Sequence, residues 1–277
     1  MDATTEDDDW VDLNRRRNRR EASATVQGEL LKYTVLDPGP RKGGGKRKVI
    51  RNFSPGSRLR MLKAFHTINW EANYPPIFIT LTYPDDLCHT DKDQRAMHRS
   101  VMARHLERIT GTTVPAAWRV EWEVRKSGRW TGLPVAHHHW LVFRHRWIHR
   151  DDVNAAWRKT IGETVYARTQ TKRLDKRKAA QLYLAKYISK NACSCSLVNA
   201  AYHNSIGRQY GWLRPEEIPK HTSLEFSRLD NETRRRITQL ADEQLPWLPS
   251  GTDQSFTLMG QTAIDAGRIL QGECLDE

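Results

Sequence analysis

The stretch Ala117-Trp118-Arg119-Val120-Glu121-Trp122-Glu123-Val124, followed through Lys126-Ser127-Gly128-Arg129 by Val135-Ala136-His137-His138-His139-Trp140-Leu141-Val142-Phe143, decides the fold. Two runs rich in aromatic and β-branched residues flank a polar, glycine-containing turn, which predicts two antiparallel strands. Side chains alternate along a strand, so His137 and His139 project from one face with Leu141 and Phe143, while His138 and Trp140 take the other. Glu121 and Glu123 likewise share a face. A turn centred near residue 130 would set Glu121 against His139 and Glu123 against His137. Two imidazoles and a carboxylate with open positions suit Mg²⁺ or Mn²⁺ in a site that handles phosphates. The competing reading is a polar, solvent-facing strand.

Working outward, Ile77-Phe78-Ile79-Thr80-Leu81-Thr82-Tyr83 lies between Pro75-Pro76 and Pro84 and is predicted as a buried strand. Helical spacing is found over 57–70, with Leu59, Met61, Leu62, Phe65 and Ile68. It recurs over 93–109, with Met97, Val101, Leu106 and Ile109, and again over 151–157, 177–190 and 232–240. Asp151 is the predicted N-cap of the third of these. Interleaved helices with an antiparallel strand pair predict an α+β fold, a sheet with helices on one face.

The chain has 277 residues and a formal net charge of +12. From residue 241 onward seven acids stand against one base, Arg268, so the basic charge is concentrated ahead of that point. A polyanionic partner is implied, nucleic acid first. Candidate phosphate contacts are Arg15, Arg16, Arg17, Arg19 and Arg20, the run Arg41-Lys42 with Lys46-Arg47-Lys48, and Lys172, Arg173, Lys176 and Arg177. The alternative for each run is a solvated arm or face. Three segments are expected: a basic, largely disordered arm over 1–50, an enzymatic domain over 51–240, and an acidic tail over 241–277.

Gly43-Gly44-Gly45-Lys46 fails as a nucleotide loop, because Arg47 follows the lysine and Pro40 occupies the leading glycine position. No nucleotide cofactor is expected. No run of 18 apolar residues exists, and the acidic start lacks the apolar core of a signal peptide, so no membrane partner is expected. Four cysteines, Cys88, Cys193, Cys195 and Cys274, make no disulfide framework, and a cytoplasmic location is the expectation. Cys193-x-Cys195 alone is a weak zinc signal, and His145 and His149 read as structural or surface residues.

In Gln181-Leu182-Tyr183-Leu184-Ala185-Lys186-Tyr187-Ile188-Ser189-Lys190 the two tyrosines are four apart and share a helical face. A lysine stands three residues after each. An ammonium beside a phenol favours phenolate, and Lys186 and Lys190 could also hold a phosphate. An amphipathic helix with aromatic core positions is the competing reading.

Together, Phe78-Ile79-Thr80-Leu81-Thr82-Tyr83-Pro84, then His137-x-His139 preceded by Glu121, then Tyr183-Leu-Ala-Lys186-Tyr187-Ile-Ser-Lys190 resemble, in this order, the three motifs of HUH-type rolling-circle replication initiators. The two-tyrosine branch of single-stranded DNA phages and related plasmids is the nearest in pattern. Ser205-Ile206-Gly207-Arg208-Gln209-Tyr210-Gly211-Trp212 resembles the stretch that often follows motif three, which adds Arg208 to the DNA-contacting candidates. The resemblance spans about residues 75–215. It implies a central antiparallel sheet of ferredoxin or RNA-recognition-motif type. It implies His137 and His139 as ligands of Mg²⁺ or Mn²⁺, Glu121 as third ligand with Glu123 in reserve, and Tyr183 and Tyr187 as nucleophiles assisted by Lys186 and Lys190. Thr80 and Thr82 would mark the strand beneath the site. The implied activity is nicking and rejoining one strand at an origin through a 5′-phosphotyrosyl link. Single-stranded or locally melted origin DNA would be the substrate, with host helicase and polymerase as partners. The sequence departs from the family pattern in placing His138, not a bulky apolar residue, between the metal histidines, and in a longer stretch from Glu121 to His137. Relaxases and transposases of the same chemistry are the neighbouring alternatives, but relaxases usually carry their tyrosine ahead of the histidines. The alternative from another class is a non-catalytic single-stranded nucleic-acid-binding module that stacks bases on Phe78, Tyr83 and Trp122.

Overall fold

A computed structural model describes residues 22–35, 55–72, 74–84, 91–126, 131–143, 145, 147–162, 168–174, 207–244 and 255–272. The chain divides into two compact units, one of 46–62 and 69–219, the other of 1–45, 63–68 and 220–277.

The larger unit carries the order β3 (Ile77–Thr82), α2 (Lys92–Thr110), β4 (Ala116–Val124), β5 (Pro134–Val142), α3 (Arg150–Ile161), β6 (Arg168–Arg173) and β7 (Tyr210–Leu213). Its sheet runs β6-β3-β5-β4-β7, with each neighbouring pair antiparallel. The first four of those strands make the β-α-β-β-α-β ferredoxin arrangement, so the expected α+β fold with a central antiparallel sheet is present.

Alternation divides this sheet into two chemically different faces. Ile77, Ile79 and Leu81, Trp118, Val120 and Trp122, and Ala136, Trp140 and Val142 share one core with Met102, Ala103 and Leu106 of α2 and with Val153, Ala156, Trp157 and Ile161 of α3. Phe78, Thr80 and Thr82 of β3 pair with Leu141, His139 and His137 of β5, so these side chains lie together on the opposite face.

Helix α2 starts on a capping box: the Asp91 carboxylate accepts from the Asp93 and Gln94 amides at 2.8 Å each, and Gln94 Oε1 accepts from the Asp91 amide at 3.1 Å. It ends at Gly111, whose φ of 70° is the left-handed closure that glycine favours. Its buried stripe is Arg95, His98, Met102 and Leu106 with Ala103 and His105, whereas Met97 and Ile109 are exposed. The apolar spacing therefore located the helix but not the side that packs. Arg95 and His98 are drawn inward by rings: the Arg95 guanidinium lies 4.8 Å from the Trp122 ring, and His98 Nδ1 shares a 3.0 Å hydrogen bond with the Tyr83 hydroxyl. Helix α3 is capped at His149, not at Asp151; Asp151 and Asp152 occupy its first turn, where the helix dipole favours acids. Strand β6 has no apolar alternation (Arg-Thr-Gln-Thr-Lys-Arg), which is why hydropathy does not reveal it.

The second unit holds β1 (Ala22–Gln27), β2 (Leu30–Val35), β8 (Leu224–Phe226) and β9 (Phe256–Met259) in the order β8-β1-β2-β9, with α4 (Asn231–Gln244) and α5 (Gln261–Leu270). Ala22, Val26, Leu31, Tyr33, Phe256 and Leu258 form a core with Ile237 and Ala241 of α4 and with Ala263, Ala266 and Ile269 of α5. The β1–β2 hairpin turns through Gly28-Glu29; Gly28 has φ +59°, and a Cβ there would stand 2.7 Å from the His66 carbonyl oxygen. Strands therefore stand at 22–35 inside the expected basic arm, and β9 and α5 stand inside the expected acidic tail. Short strands in a charge-rich setting are easily read as arm, since charge counts carry no pairing information. Helix α1 (Pro55–His66) ends four residues before the limit that the 57–70 spacing suggests.

Candidate functional site

Strands β3, β4 and β5 build the site. Opposite His137 stand Glu121 on β4 and Thr82 on β3; opposite His139 stand Arg119 and Thr80. The β4–β5 register is thus two residues tighter than the turn-centred expectation, because Val124 pairs directly with Pro134. A shift of two preserves the face. The side chains still meet as expected, diagonally: His139 Nε2 lies 3.1 Å from Glu121 Oε2, and His137 Nε2 lies 3.7 Å from Glu123 Oε2. Glu121 is buried, and Glu123 has 58% of its side chain exposed.

The two imidazoles lie parallel, with centroids 6.4 Å apart and an interplanar angle of 10°. That spacing is the two-residue rise of a strand. Phe78 stacks on His139 at 5.5 Å and 21°. On the side away from the carboxylates, His139 Nδ1 shares a 3.2 Å hydrogen bond with Thr80 Oγ1, and His137 Nδ1 a 2.9 Å hydrogen bond with Thr82 Oγ1. Each ring is therefore held at Nδ1 by a hydroxyl of β3 and turned with Nε2 toward a carboxylate of β4. Burial pulls the His137 pKa down to about 4, against the opposing pull of Glu123 and with a smaller contribution from His139. A neutral imidazole is the form that ligates a cation.

The donor chemistry of these residues fits a hard divalent cation with mixed nitrogen and oxygen ligands. The 3.1 Å between His139 Nε2 and Glu121 Oε2 matches neighbouring ligands in an octahedral shell with bonds of about 2.1 Å. Among the described residues no three His, Cys, Asp or Glu side chains gather around one point. The arrangement is two adjacent His–Glu pairs, with His139–Glu121 the closer.

His138 faces the helices. It is fully buried, neither ring nitrogen has a hydrogen-bond partner among the described residues, and its ring stands 5.6 Å from Tyr83 and 6.1 Å from Trp157. Burial, reinforced by the Arg99 and Arg95 charges, holds its pKa well below the ordinary histidine value. Trp157 Nε1 donates to the Thr82 carbonyl at 3.1 Å, so α3 is fastened to β3 beneath the imidazoles. His145 Nε2 bonds the Thr113 carbonyl at 2.9 Å, a structural role, and His149 is exposed.

Of the basic candidates, Lys172 is exposed on the imidazole face, its backbone paired with Phe78. Arg173 pairs with Ile77 and so projects from the helix-packed face. Arg208 is exposed, and its charge contributes to lowering the Arg99 pKa. Tyr183, Lys186, Tyr187, Lys190, Lys176, Arg177 and Arg15, Arg16, Arg17, Arg19 and Arg20 lie outside the described residues. The residues that sequence reading left without a role are Thr80 and Thr82 as hydrogen-bond partners, and Arg168 and Gln170, which β6 adds to the imidazole face opposite Thr82 and Thr80. The signal for the threonines was present: Thr-x-Thr has the same period of two as His-x-His.

An α+β sheet presenting a His-x-His pair beside two glutamates defines a class of candidate metal-dependent phosphate-handling proteins. Within it, residues 76–192 match the family model of the replication-associated proteins of ORF2 type, which spans β3 through β6 and the tyrosine segment. Over that stretch, less than half of the chain, the protein is similar to that family. No curated protein and no solved structure gives a significant match. No described helix is long and apolar enough to cross a membrane.

Proposed function

We propose that this protein is a replication initiator that nicks one strand of an origin, using a tyrosine nucleophile and a divalent metal, Mg²⁺ or Mn²⁺. The observation that carries the reading is the parallel pair His137 and His139, each turned by a threonine so that Nε2 meets a glutamate. The match to a replication-associated family over 76–192 supports it. His137, His139 and Glu121 would hold the cation, with Glu123 at its margin. When bound, the cation would polarise the scissile phosphate and offset charge on its oxygens.

Tyr183 or Tyr187 attacks phosphorus through its phenolate oxygen. The phosphorus–3′-oxygen bond breaks, the 3′-oxygen leaves and takes up a proton as a free 3′-OH, and a 5′-phosphotyrosyl bond remains. The phosphodiester energy is retained, so rejoining needs no nucleotide. The second tyrosine serves the closing cut. Lys186 and Lys190 hold the phosphate, while Lys172 and Arg208, with the arginines at 15–20, contact the strand. A single strand is required, because the reacting phosphate must reach the sheet face, so a host helicase and polymerase in the cytoplasm complete the cycle. The stacking-module alternative loses ground here: Phe78, Tyr83 and Trp122 are all buried, and the latter two belong to the helix-packed core.

The test is incubation of the full chain with a labelled single-stranded oligonucleotide pool and Mn²⁺, followed by a denaturing gel. A covalently shifted band is expected, and Tyr183→Phe combined with Tyr187→Phe should abolish it. An adduct that survives the double substitution overturns the nucleophile assignment.

A further inference from the structure

We infer that Thr80 and Thr82 are positioning residues that set the tautomer of the two imidazoles and let it invert when a cation is taken up. The inference rests on the metal-site reading above for its second half; its first half concerns the protein without metal.

The geometry is specific. Two adjacent strands carry matched period-two pairs in register, Thr80 opposite His139 and Thr82 opposite His137, and both hydroxyls reach Nδ1 and not Nε2. Both rings therefore present the same nitrogen outward, in parallel planes. The flanking Ile79 and Leu81 are fully buried in the helix-side core, so β3 can neither slide nor twist its hydroxyls away without dismantling that packing. Trp157 Nε1, bonded to the Thr82 carbonyl, adds a second fastening at the same residue.

A hydroxyl both donates and accepts, which neither a valine nor a carbonyl does. Without metal, His139 Nε2 stands 3.1 Å from a carboxylate oxygen, a contact that requires a proton on Nε2. Nδ1 is then bare, and Thr80 donates to it. When a cation takes the Nε2 lone pair, the ring proton must reside on Nδ1. The threonine oxygen then accepts, and its own hydrogen turns to another acceptor. The same exchange holds for His137 and Thr82. Each ring loses a proton at Nε2 and gains one at Nδ1 through solvent, so its charge is unchanged. A fixed acceptor would favour only the metal-bound tautomer, and a fixed donor only the free one. A hydroxyl serves both, so neither state leaves a buried nitrogen unpaired.

The measurement is long-range ¹H–¹⁵N correlation of the histidine side chains in the full chain, metal-free and then titrated with Mg²⁺, on the wild type, Thr80→Val, Thr82→Val and the corresponding serine variants. The wild type should show His137 and His139 each as one tautomer, Nε2–H, changing to Nδ1–H with Mg²⁺. Each valine variant should show mixed tautomers at its own partner ring only and bind Mn²⁺ about 10- to 100-fold more weakly by titration calorimetry. Serine should restore both readouts, which a purely structural role for the threonine methyl would not allow. If a valine variant does not fold, the serine variant and the wild-type tautomers still decide the matter. Unaltered single tautomers in the folded valine variants, or mixed tautomers in the wild type, would overturn the proposal. Failure of any cation to bind, with the metal-free tautomers as expected, would instead sink the metal reading and leave the threonine role standing.

Discussion

His138 and its two neighbours in the chain share a side chain and a strand yet live in opposite chemistries. His137 and His139 face a surface of threonine hydroxyls and carboxylates, with both nitrogens of each ring engaged. His138, one residue away, is sealed among Tyr83, Trp157 and the α2 arginines, with neither nitrogen bonded among the described residues. Function in this protein is therefore assigned by the parity of a strand position, not by residue type. The helix-packed face supplies the rigidity that the polar face uses.

The largest expected effect comes from breaking the polar face. His137→Ala or His139→Ala should lower cleavage of single-stranded DNA by roughly a thousandfold, the several kcal/mol that phosphate polarisation is worth, while DNA binding and thermal stability change little. His138→Ala should do the reverse, lowering stability and sparing the cleavage rate of the folded fraction. Equal loss of cleavage from all three would erase the distinction between the faces.

The carboxylates sharpen the comparison within the polar face. Glu121→Gln should weaken Mn²⁺ binding more than Glu123→Gln, because Glu121 is buried and 3.1 Å from its imidazole whereas Glu123 is mostly exposed and 3.7 Å away. The expected ratio is about tenfold by calorimetry. A larger effect at Glu123 would reverse the ligand order.

The smallest effect is in pH dependence. Burial is the largest cause lowering the pKa values of both His138 and His98 below 6.5. The unfolded chain takes up protons there that the folded chain refuses. Stability is therefore full above about pH 6.5 and declines as pH falls beneath it. Thermal melts between about pH 7.5 and 5 should show this slope, and His138→Leu should flatten it. A slope unaffected by that substitution would place the acid sensitivity elsewhere.

Much of the site was legible because period two is a hard geometric constraint. The faces of His137, His138, Glu121 and Glu123 follow from strand alternation alone, and they survive the two-residue register difference between Val124–Pro134 pairing and a turn centred at 130. Register itself was not legible, since it depends on how tightly the connection closes. Strand β6 escaped because an edge strand of arginine, lysine, threonine and glutamine carries no apolar signal. The β1–β2 hairpin escaped because its surroundings are so charged, although Gln27-Gly28-Glu29-Leu30 holds a two-residue turn between alternating segments. On α2, the inward turn of Arg95 and His98 reflects aromatic partners, Trp122 on β4 and Tyr83 just after β3, that sequence spacing does not reveal.

The most direct measurement is to digest the protein–oligonucleotide adduct formed with Mn²⁺ and identify by mass spectrometry the peptide that bears the nucleotide. The account requires a 5′-phosphotyrosyl group on Tyr183 or Tyr187, formed with Mn²⁺ and lost with a chelator. A nucleotide attached at another residue, or an adduct formed equally well in chelator, would contradict it.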